Sequence, residues 1–272
     1  MPELPEVEVT KRGIENYLTG HAITEVCFDN KSLRKPFSPD LMNLEGSKVK
    51  SVTRRAKYIV IETNKGYLLI HLGMTGHLRI LPKDSPLANH DHFYLSTDDD
   101  KSIIYNDIRR FGMVLYYPLT SSPYDNFPLK ELGPEPFSSE FNVEYLLLKL
   151  SKLKKSIKQA IMDNAIVVGI GNIYASEILF RCRINPKRIA NSITKSEAQA
   201  IIENARKILS ESIEKGGTTI RDFSGADGKL GYFVQNLYVY GHEGEQCKVC
   251  GTKIEKIVQG QRSTFYCPCC QK

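Results

Sequence analysis

The chain has 272 residues, of which 41% are hydrophobic and 25% charged, and its formal net charge is +6. This length allows two domains and a small appendage, and no apolar run approaches the roughly 20 residues that a membrane-spanning helix needs. Five of the seven cysteines lie in residues 247–270, which argues against a disulfide scaffold, and the early acidic Glu3 argues against a signal peptide. The sequence therefore predicts a cytoplasmic protein that makes no contact with a membrane.

The positive charge is concentrated in the C-terminal half of the chain. Residues 149–188 contain nine lysines and arginines against two acidic residues, and residues 247–272 contain five against one. A polyanion partner is compatible with the total charge but is not established by it. The clustering indicates where such a partner would bind.

The N-terminal sequence MPELPEVE combines a predicted helix start with a dipeptide that the helix does not explain. Initiator methionine is normally removed before a small second residue, so processing would leave Pro2 as a free secondary amine. Pro5 and the acidic residues suit the first turn of a helix, where acids face the positive end of the dipole. This helix is predicted to end at Gly20 and to bury one face, formed by Val7, Ile14, Tyr17 and Leu18.

Between residues 22 and 117 the pattern is that of a β domain. Short runs of β-branched and aromatic residues recur at close spacing, and turn residues separate them. The predicted strands are 22–28, 48–53, 58–63, 67–72, 93–96, 103–105 and 113–117. This many short strands favours a sandwich or a barrel. The proline-rich segment 121–136 is predicted to be a linker.

After residue 142 the pattern becomes helical. Helices are predicted over 143–163, over 172–183, and from Thr194, where the sequence TKSE is a capping box, to Gly216. Between the first two, the sequence VGIGN at 168–172 places a tight turn at a helix N-terminus, where backbone N–H groups can hold a phosphate. With nine basic residues around it, this turn indicates binding to nucleic acid.

The C-terminal tail carries two CxxC pairs with metal-ligand spacing. Cys247 and Cys250 form the first pair, and Cys267 and Cys270 form the second after sixteen intervening residues. Such pairs predict one structural zinc ion with four thiolate ligands. Cys269 could compete with Cys270 as the fourth ligand, but Cys270 keeps the same spacing in both pairs.

The segment between the two cysteine pairs is predicted to form a β-hairpin. Its turn sequence, QGQRSTF at 259–265, carries Arg262 at the tip. An exposed arginine on a rigid hairpin is suited to binding phosphate.

Six motifs, in this order along the whole chain, resemble the bacterial formamidopyrimidine-DNA glycosylases of the Fpg/Nei group. They are PELPEV at 2–7, RRAKY at 54–58, HLGMTG at 71–76, DIRRFG at 107–112, GIGNIY at 169–174 and the hairpin that contains Arg262. The resemblance implies an α+β fold with an N-terminal catalytic β-sandwich and flanking helices at 1–120 and a linker at 121–136. It also implies a helix-two-turn-helix domain that binds DNA at 137–235 and a zinc-finger hairpin at 236–272.

The resemblance also implies the catalytic residues. Pro2 would attack the sugar as the Schiff-base nucleophile, and Glu3 would deliver a proton during sugar ring opening and base loss. An α-amino group, with a pKa of about 7.7–8.0, is far more often unprotonated at neutral pH than a lysine with a pKa of about 10.4. Lys57 resembles the proton donor and phosphate contact for β-elimination, and Arg262 the residue for δ-elimination. Glu6 either assists or caps the helix dipole.

The DNA contacts follow from the same resemblance. Extruding a stacked base leaves a hole in the duplex, and Met74, Arg109 and Phe111 match the residues that fill it. Packing in the core is the alternative for Met74 and Phe111. The expected contacts to the DNA backbone are His71, His90, Asn172, Tyr240 and Lys154. The register of the last contact is open between Leu153 and Lys154, and the segment 218–229 is expected to fold over the extruded base.

The expected substrate is therefore double-stranded DNA containing oxidised purines, and the expected assembly state is a monomer. Two other functions remain open at the level of the sequence. One is an oxidised-pyrimidine glycosylase like endonuclease VIII. The start at Leu4-Pro5, the set of Met74, Arg109 and Phe111 and the long loop at 218–229 disfavour it. The other is a protein that only binds damaged DNA, which would need neither a free amine at Pro2 nor an acid beside it.

Overall fold

The computed structural model describes residues 2–218 and 233–272 and divides into two compact units. The first unit contains Met1–Glu131 and the described part of Lys215–Tyr232, and the second contains Leu132–Glu214 and Phe233–Lys272. Within the described ranges, no helix is both long enough and apolar enough to cross a membrane. The boundaries predicted for the linker and for a separate zinc-finger hairpin stay predictions.

The described residues form helices in both units and strands mainly in the first. The α-helices are α1 (Leu4–Leu18), α2 (Val143–Leu150), α3 (Ile157–Ile161), α4 (Asn172–Arg181) and α5 (Lys195–Glu214). The strands of the first unit are β1 (Ile23–Phe28), β2 (Val49–Arg55), β3 (Tyr58–Thr63), β4 (Gly66–His71), β5 (His77–Pro82), β6 (Asp91–Thr97), β7 (Lys101–Asn106) and β8 (Met113–Pro118). The second unit contains β9 (Glu255–Gln259) and β10 (Arg262–Tyr266).

Two antiparallel four-stranded sheets make the first unit a β-sandwich, as predicted. Their strand orders are β1-β6-β7-β5 and β2-β3-β4-β8. One hydrophobic core joins residues of both sheets with the buried face of α1, and each large aliphatic side chain buried in such a core stabilises the fold by about 1.5–3 kcal/mol. Strand β5 was not predicted, because Leu78 is its one fully buried residue and the alternating pattern is correspondingly weak.

Helix α1 follows the prediction except at one position. Leu4, Val7, Ile14 and Leu18 are buried, and the helix gives way to Gly20 in the left-handed conformation at φ 87°. Tyr17 was predicted to share this face, but it is 39% exposed. It lies on the polar side of the helix, where the phenol can remain in water.

The helices of the second unit depart from the prediction at 143–163. A single helix there is wrong, because the chain leaves the helical path after α2 and starts again at α3. Ser156 starts α3: its Oγ accepts a hydrogen bond from Gln159 N at 3.3 Å, and its N–H donates to Gln159 Oε1 at 3.2 Å. This capping box competes with helix continuation. Helices α4 and α5 are confirmed, and Thr194 caps α5 with Glu197 as expected.

The predicted hairpin at the C-terminus is confirmed as β9 and β10. A two-residue turn joins the strands, with Gly260 at φ 53° and Gln261 at φ 61°. Positive φ at both positions matches the twist of a tight hairpin. A small core joins this region to Phe180 of α4 and contains Val239, Phe265 and two of the tail cysteines. Apolar packing therefore supplements the metal site in holding the tail.

Candidate functional site

The first unit buries Pro2 and Glu3 at the start of α1. The carboxylate of Glu6 binds on both sides of this start: Oε2 accepts from Glu3 N at 2.8 Å, and Oε1 accepts from Thr218 N at 2.8 Å and from Thr218 Oγ1 at 2.7 Å. A carboxylate is also favourable at the positive end of a helix. Glu6 therefore caps the helix and fixes the backbone beside Pro2. Apart from Thr218, the segment expected to cover the extruded base lies outside the described residues.

Lys57 occupies the two-residue turn between β2 and β3. The preceding Ala56 has a φ of 54°, a conformation that L-residues rarely adopt. The guanidinium of Arg54 donates to Ala56 O at 2.9 Å and to Glu8 Oε2 at 2.9 Å, so it connects this turn with α1. Burial would raise the pKa of Glu8, but hydrogen bonds from Arg12 and Arg54 outweigh it and hold the pKa below its usual value. Sequence reasoning missed the role of this arginine, because Glu8, which it connects to the turn, is 46 positions away in the sequence.

His71 ends β4 as a neutral imidazole. Its Nδ1 accepts a hydrogen bond from Gly73 N at 3.1 Å, which assigns the ring proton to Nε2. Burial, followed by the charges of Lys57 and Arg34, lowers the pKa of His71 to about 4. The ring packs against Tyr58 with 4.7 Å between centroids. At neutral pH, His71 can therefore donate one hydrogen bond from Nε2 without carrying charge.

Met74, Arg109 and Phe111 lie in two adjacent loops of the first unit. Phe111 is 46% exposed, which rules out the alternative of core packing for this residue. The Arg109 guanidinium lies 4.6 Å from the centroid of the Phe111 ring, within the range of a cation–π contact. Met74 is half-buried. His90, at φ 72°, precedes β6, and its carbonyl accepts from Asp107 N at 3.1 Å.

The second unit brings Asn172 together with the C-terminal hairpin. Asn172 Nδ2 donates to Ser263 O at 2.9 Å, and the buried ammonium of Lys158 donates to Asn172 Oδ1 at 2.6 Å and to Thr264 Oγ1 at 2.7 Å. These bonds fix the first residue of α4 against β10. Arg262 is exposed at the start of β10, next to Ser263. The predicted phosphate contacts Asn172 and Arg262 thus belong to one connected structure.

Lys154 is exposed in the turn between α2 and α3. The lysine that contacts Asn172 is Lys158, to which the sequence had assigned no role. Lys158 is 1% exposed and lies in a short helix among apolar residues. A periodicity argument treats it as an interruption of the buried face, so its function could not be recognised from spacing.

Tyr240 lies where the chain enters the C-terminal tail. Glu177 of α4 fixes this segment, because its carboxylate accepts 2.9 Å hydrogen bonds from the backbone N–H groups of Tyr238, Val239 and Tyr240. Burial raises the pKa of Glu177 even though these three bonds oppose the shift. The Tyr240 ring packs edge-on against Phe265.

The sulfur atoms of Cys247, Cys250, Cys267 and Cys270 converge in the tail. All four lie within 4.8 Å of one another, with 3.9 Å between Cys247 and Cys270 and 3.4 Å between Cys250 and Cys267. Four thiolates bound to zinc at about 2.3 Å in a tetrahedron would be about 3.8 Å apart. The donor set therefore fits one structural zinc ion. Cys269 is exposed and lies outside this cluster.

Three family models match the chain. They are the formamidopyrimidine-DNA glycosylase N-terminal domain over residues 1–114, the formamidopyrimidine-DNA glycosylase H2TH domain over 132–224, and the zinc finger found in FPG and IleRS over 244–272. Together they account for both units and the cysteine cluster.

Individual proteins of this family are similar to the chain over its full length or nearly so. A formamidopyrimidine-DNA glycosylase of Histophilus somni is 46% identical over 272 residues, which is 100% of both chains. A mutant of the Lactococcus lactis FPG protein, in complex with DNA containing Fapy-dG, has a TM-score of 0.91 at 33% identity and 100% coverage of both chains. Lactococcus lactis Fpg with DNA containing an abasic site has a TM-score of 0.91 at 34% identity and 99% coverage of both chains. The chain therefore belongs to the formamidopyrimidine-DNA glycosylase family.

Proposed function

We propose that this protein is a bifunctional DNA glycosylase and AP lyase of base excision repair. It removes oxidised purines, such as 8-oxoguanine and formamidopyrimidines, from duplex DNA and then cuts the strand by β,δ-elimination. It acts as a monomer in the bacterial cytoplasm. The observation that carries the proposal is the buried Pro2-Glu3 dipeptide, which Glu6 fixes at the start of α1.

The nucleophile in this proposal is the nitrogen of Pro2 after removal of Met1. It attacks C1′ of the damaged nucleotide, the glycosidic bond breaks, and the base leaves with a proton that Glu3 helps to deliver. The C1′–O4′ bond of the sugar then opens as O4′ takes a proton that Glu3 can supply, and the nitrogen becomes an iminium. The iminium withdraws electrons from C2′ and makes the C2′ proton acidic. Loss of that proton expels the 3′ phosphate, and a second elimination expels the 5′ phosphate.

Lys57 and Arg262 serve the eliminations. Lys57 lies in a turn that Arg54 connects to α1, so its ammonium can donate protons and contact a phosphate near the nucleophile. Arg262 is exposed beside the Asn172 and Lys158 network, where its fork of N–H donors can bind a phosphate on both oxygens. Zinc, when bound by the four cysteines, supplies the crosslink that holds the hairpin.

The remaining site residues hold and open the duplex. Met74 and Phe111 replace the stacking of the extruded base, and Arg109 donates to the acceptor edge of the orphaned cytosine. Nε2 of His71 is suited to donate to a phosphate oxygen. His90, Lys154, Asn172 and Tyr240 supply further backbone contacts.

The decisive experiment is reductive trapping. Because borohydride reduces an imine irreversibly, an 8-oxoguanine duplex incubated with the protein and borohydride should give a covalent adduct. Peptide mapping should place it on residue 2 with Met1 absent. A variant with extra residues before Pro2 should not trap, because its nitrogen is an amide, whereas Lys57→Ala should still trap on abasic DNA.

The outcomes separate the alternatives. An adduct on Lys57 would overturn the assignment of roles. Intact DNA binding without any adduct would identify a protein that only binds damaged DNA. Faster excision from duplexes with oxidised pyrimidines than from 8-oxoguanine duplexes would assign the chain to endonuclease VIII-like activity.

A further inference from the structure

A single carboxylate joins the two loops that carry Met74, Arg109 and Phe111. Asp107 follows β7, and it is 0% exposed. Its Oδ1 accepts from Thr75 Oγ1 at 2.6 Å, and it also accepts from the backbone N–H of Arg109 at 3.3 Å. The sequence motif DIRRFG includes this aspartate but assigns it no function.

The other carboxylate oxygen of Asp107 binds the far end of the same loop. Oδ2 accepts from Gly112 N at 2.9 Å and from the Tyr105 hydroxyl at 3.1 Å. Burial, followed by the negative charge of Asp107, raises the pKa of Tyr105 well above its usual value, so its hydroxyl stays a donor. Each oxygen therefore has two donors. Hydrogen bonds to an ionised group are about twice as strong as neutral ones.

The two loops also contact each other directly. Thr75 Oγ1 donates to Asp107 and accepts from Arg109 N at 3.1 Å, so one hydroxyl bridges both loops. A Cβ added at Gly73, whose φ is 64°, would lie 2.5 Å from Gly112 N. Only glycine permits this backbone approach. Met74 on one loop is thereby held at a set distance from the loop of Arg109 and Phe111.

The loop between β7 and β8 carries two consecutive arginines whose side chains have different surroundings. Arg110 has a φ of 54°, and its guanidinium donates to Asp29 Oδ2 at 3.1 Å and to Lys31 O at 3.1 Å. Arg109 is left exposed beside Phe111. The backbone on each side of this pair is therefore fixed before any DNA is bound.

We propose that Asp107 is a positioning residue that holds Met74, Arg109 and Phe111 as one preformed wedge for base extrusion. The inference rests on the proposed function and names a residue for it. Without the carboxylate, the two loops would have to be ordered when DNA binds, and that cost would fall on extrusion and on reading the opposite base. The reaction at Pro2 on an abasic site would bear less of this cost, because no stacked base has to be extruded.

The test uses two substitutions and a matched control in the full-length protein. Asp107→Asn removes the charge and places an amide N–H₂ where one carboxylate oxygen accepted two hydrogen bonds. Thr75→Val removes the bridging hydroxyl with little change of shape, and Thr75→Ser restores it. Thr97→Val is the control, because buried Thr97 also donates to an aspartate, Asp99 Oδ1, at 2.6 Å, but in a turn outside the wedge.

Single-turnover rates should be measured on duplexes with 8-oxoguanine opposite C, 8-oxoguanine opposite A, and an abasic site opposite C. For Asp107→Asn and Thr75→Val, excision of 8-oxoguanine opposite C should fall by about tenfold, the loss expected from one charged hydrogen bond. The preference for C over A should fall with it. Cleavage at the abasic site should stay within about threefold of wild type, with Thr75→Ser and Thr97→Val close to wild type.

Equal losses of rate on all three duplexes would show that Asp107 only supports the fold in general. Unchanged rates would show that Asp107 has no part in the reaction. Either result overturns the inference. If Asp107→Asn does not fold, the comparison of Thr75→Val with Thr75→Ser decides. Failure of the wild-type protein to excise or trap would instead refute the proposed function, so the two failures are distinguishable.

Discussion

Among the single residues of the site, His71 shows how neighbouring groups determine a protonation state. His71 has an ordinary position at the end of a strand, yet burial and two cationic neighbours keep it neutral. Gly73 N–H occupies its Nδ1, which leaves Nε2 as the donor. A histidine held in this way keeps the same charge and the same hydrogen-bond donor across the physiological pH range.

The low pKa of His71 predicts a specific loss of stability in acid. Its folded value is about 4, against about 6.5 for an unperturbed histidine. Between these values the unfolded chain binds the proton more strongly, so His71 stabilises the fold fully above about pH 6.5 and this contribution is lost as pH falls toward 4. Replacing His71 by Asn should flatten this dependence, by up to about 1.4 kcal/mol per pH unit.

Urea denaturation of wild type and His71→Asn at pH 7 and pH 4.5 would measure the difference. Parallel losses in the two proteins would contradict the protonation state assigned to His71.

Among the structural elements, the C-terminal tail is held by three kinds of interaction. The cysteine cluster sets its fold, Phe180 of α4 packs against Phe265 and Val239 in a small core, and buried Lys158 ties β10 to α4. An exposed arginine at the hairpin tip is useful only if this support is rigid, because a mobile arginine would lose entropy on binding phosphate. We therefore expect the zinc site and the proposed phosphate contact of Arg262 to be coupled.

Loss of one zinc-binding cysteine should destabilise the C-terminal tail and leave the β-sandwich folded. Cys250→Ser should lower zinc content from one ion per chain toward zero and weaken DNA binding, because a structural zinc site contributes folding energy directly. Hydrogen exchange should accelerate in β9 and β10 but not in the strands of the first unit. Cys269→Ser is the matched control, since Cys269 is exposed outside the cluster. Stoichiometric zinc in Cys250→Ser would contradict the assignment.

Across the whole molecule, the charge distribution matches a DNA-binding protein better than the net charge does. Of the two units, the second contains both basic blocks, residues 149–188 and 247–272. The first contains the residues proposed as the nucleophile and the wedge. Affinity for the duplex and chemistry on the lesion are thus assigned to different units, and the two properties should respond differently to salt.

The salt dependence of binding should identify which residues neutralise phosphates. Each neutralised phosphate adds about 0.9 to the slope of log affinity against log salt concentration. Arg262→Ala should reduce the slope by about that amount. Asn172→Ala should weaken binding without changing the slope, because an amide releases no counterion. Fluorescence anisotropy with undamaged duplex at several salt concentrations measures both, and equal slopes in wild type and Arg262→Ala would contradict the phosphate contact.

The elements that could be predicted from the amino-acid sequence are those whose signals are local. The start of α1, the cap at Thr194, the C-terminal hairpin and each CxxC pair depend on residues within one turn or one short loop. The groups that interact are close in the sequence: a carboxylate at a helix start, a hydroxyl that accepts from a nearby backbone N–H, and two thiolates separated by two residues. These features could therefore be predicted before any tertiary contact was known, and the structure confirms them.

The residues that required the three-dimensional structure are those whose partners are distant in sequence. Asp107 binds Thr75, and Lys158 binds Thr264, across 32 and 106 positions respectively. In both cases a charged residue is buried because it satisfies several hydrogen-bonding groups at once, and no periodic pattern encodes that requirement. The break between α2 and α3 has a related cause, since Ser156 and Gln159 gain a cap by ending a helix that the apolar spacing would have continued. The side chains that support the site could thus be identified only from long-range contacts in the structure. Local motifs in the sequence were enough to identify the residues proposed to contact DNA.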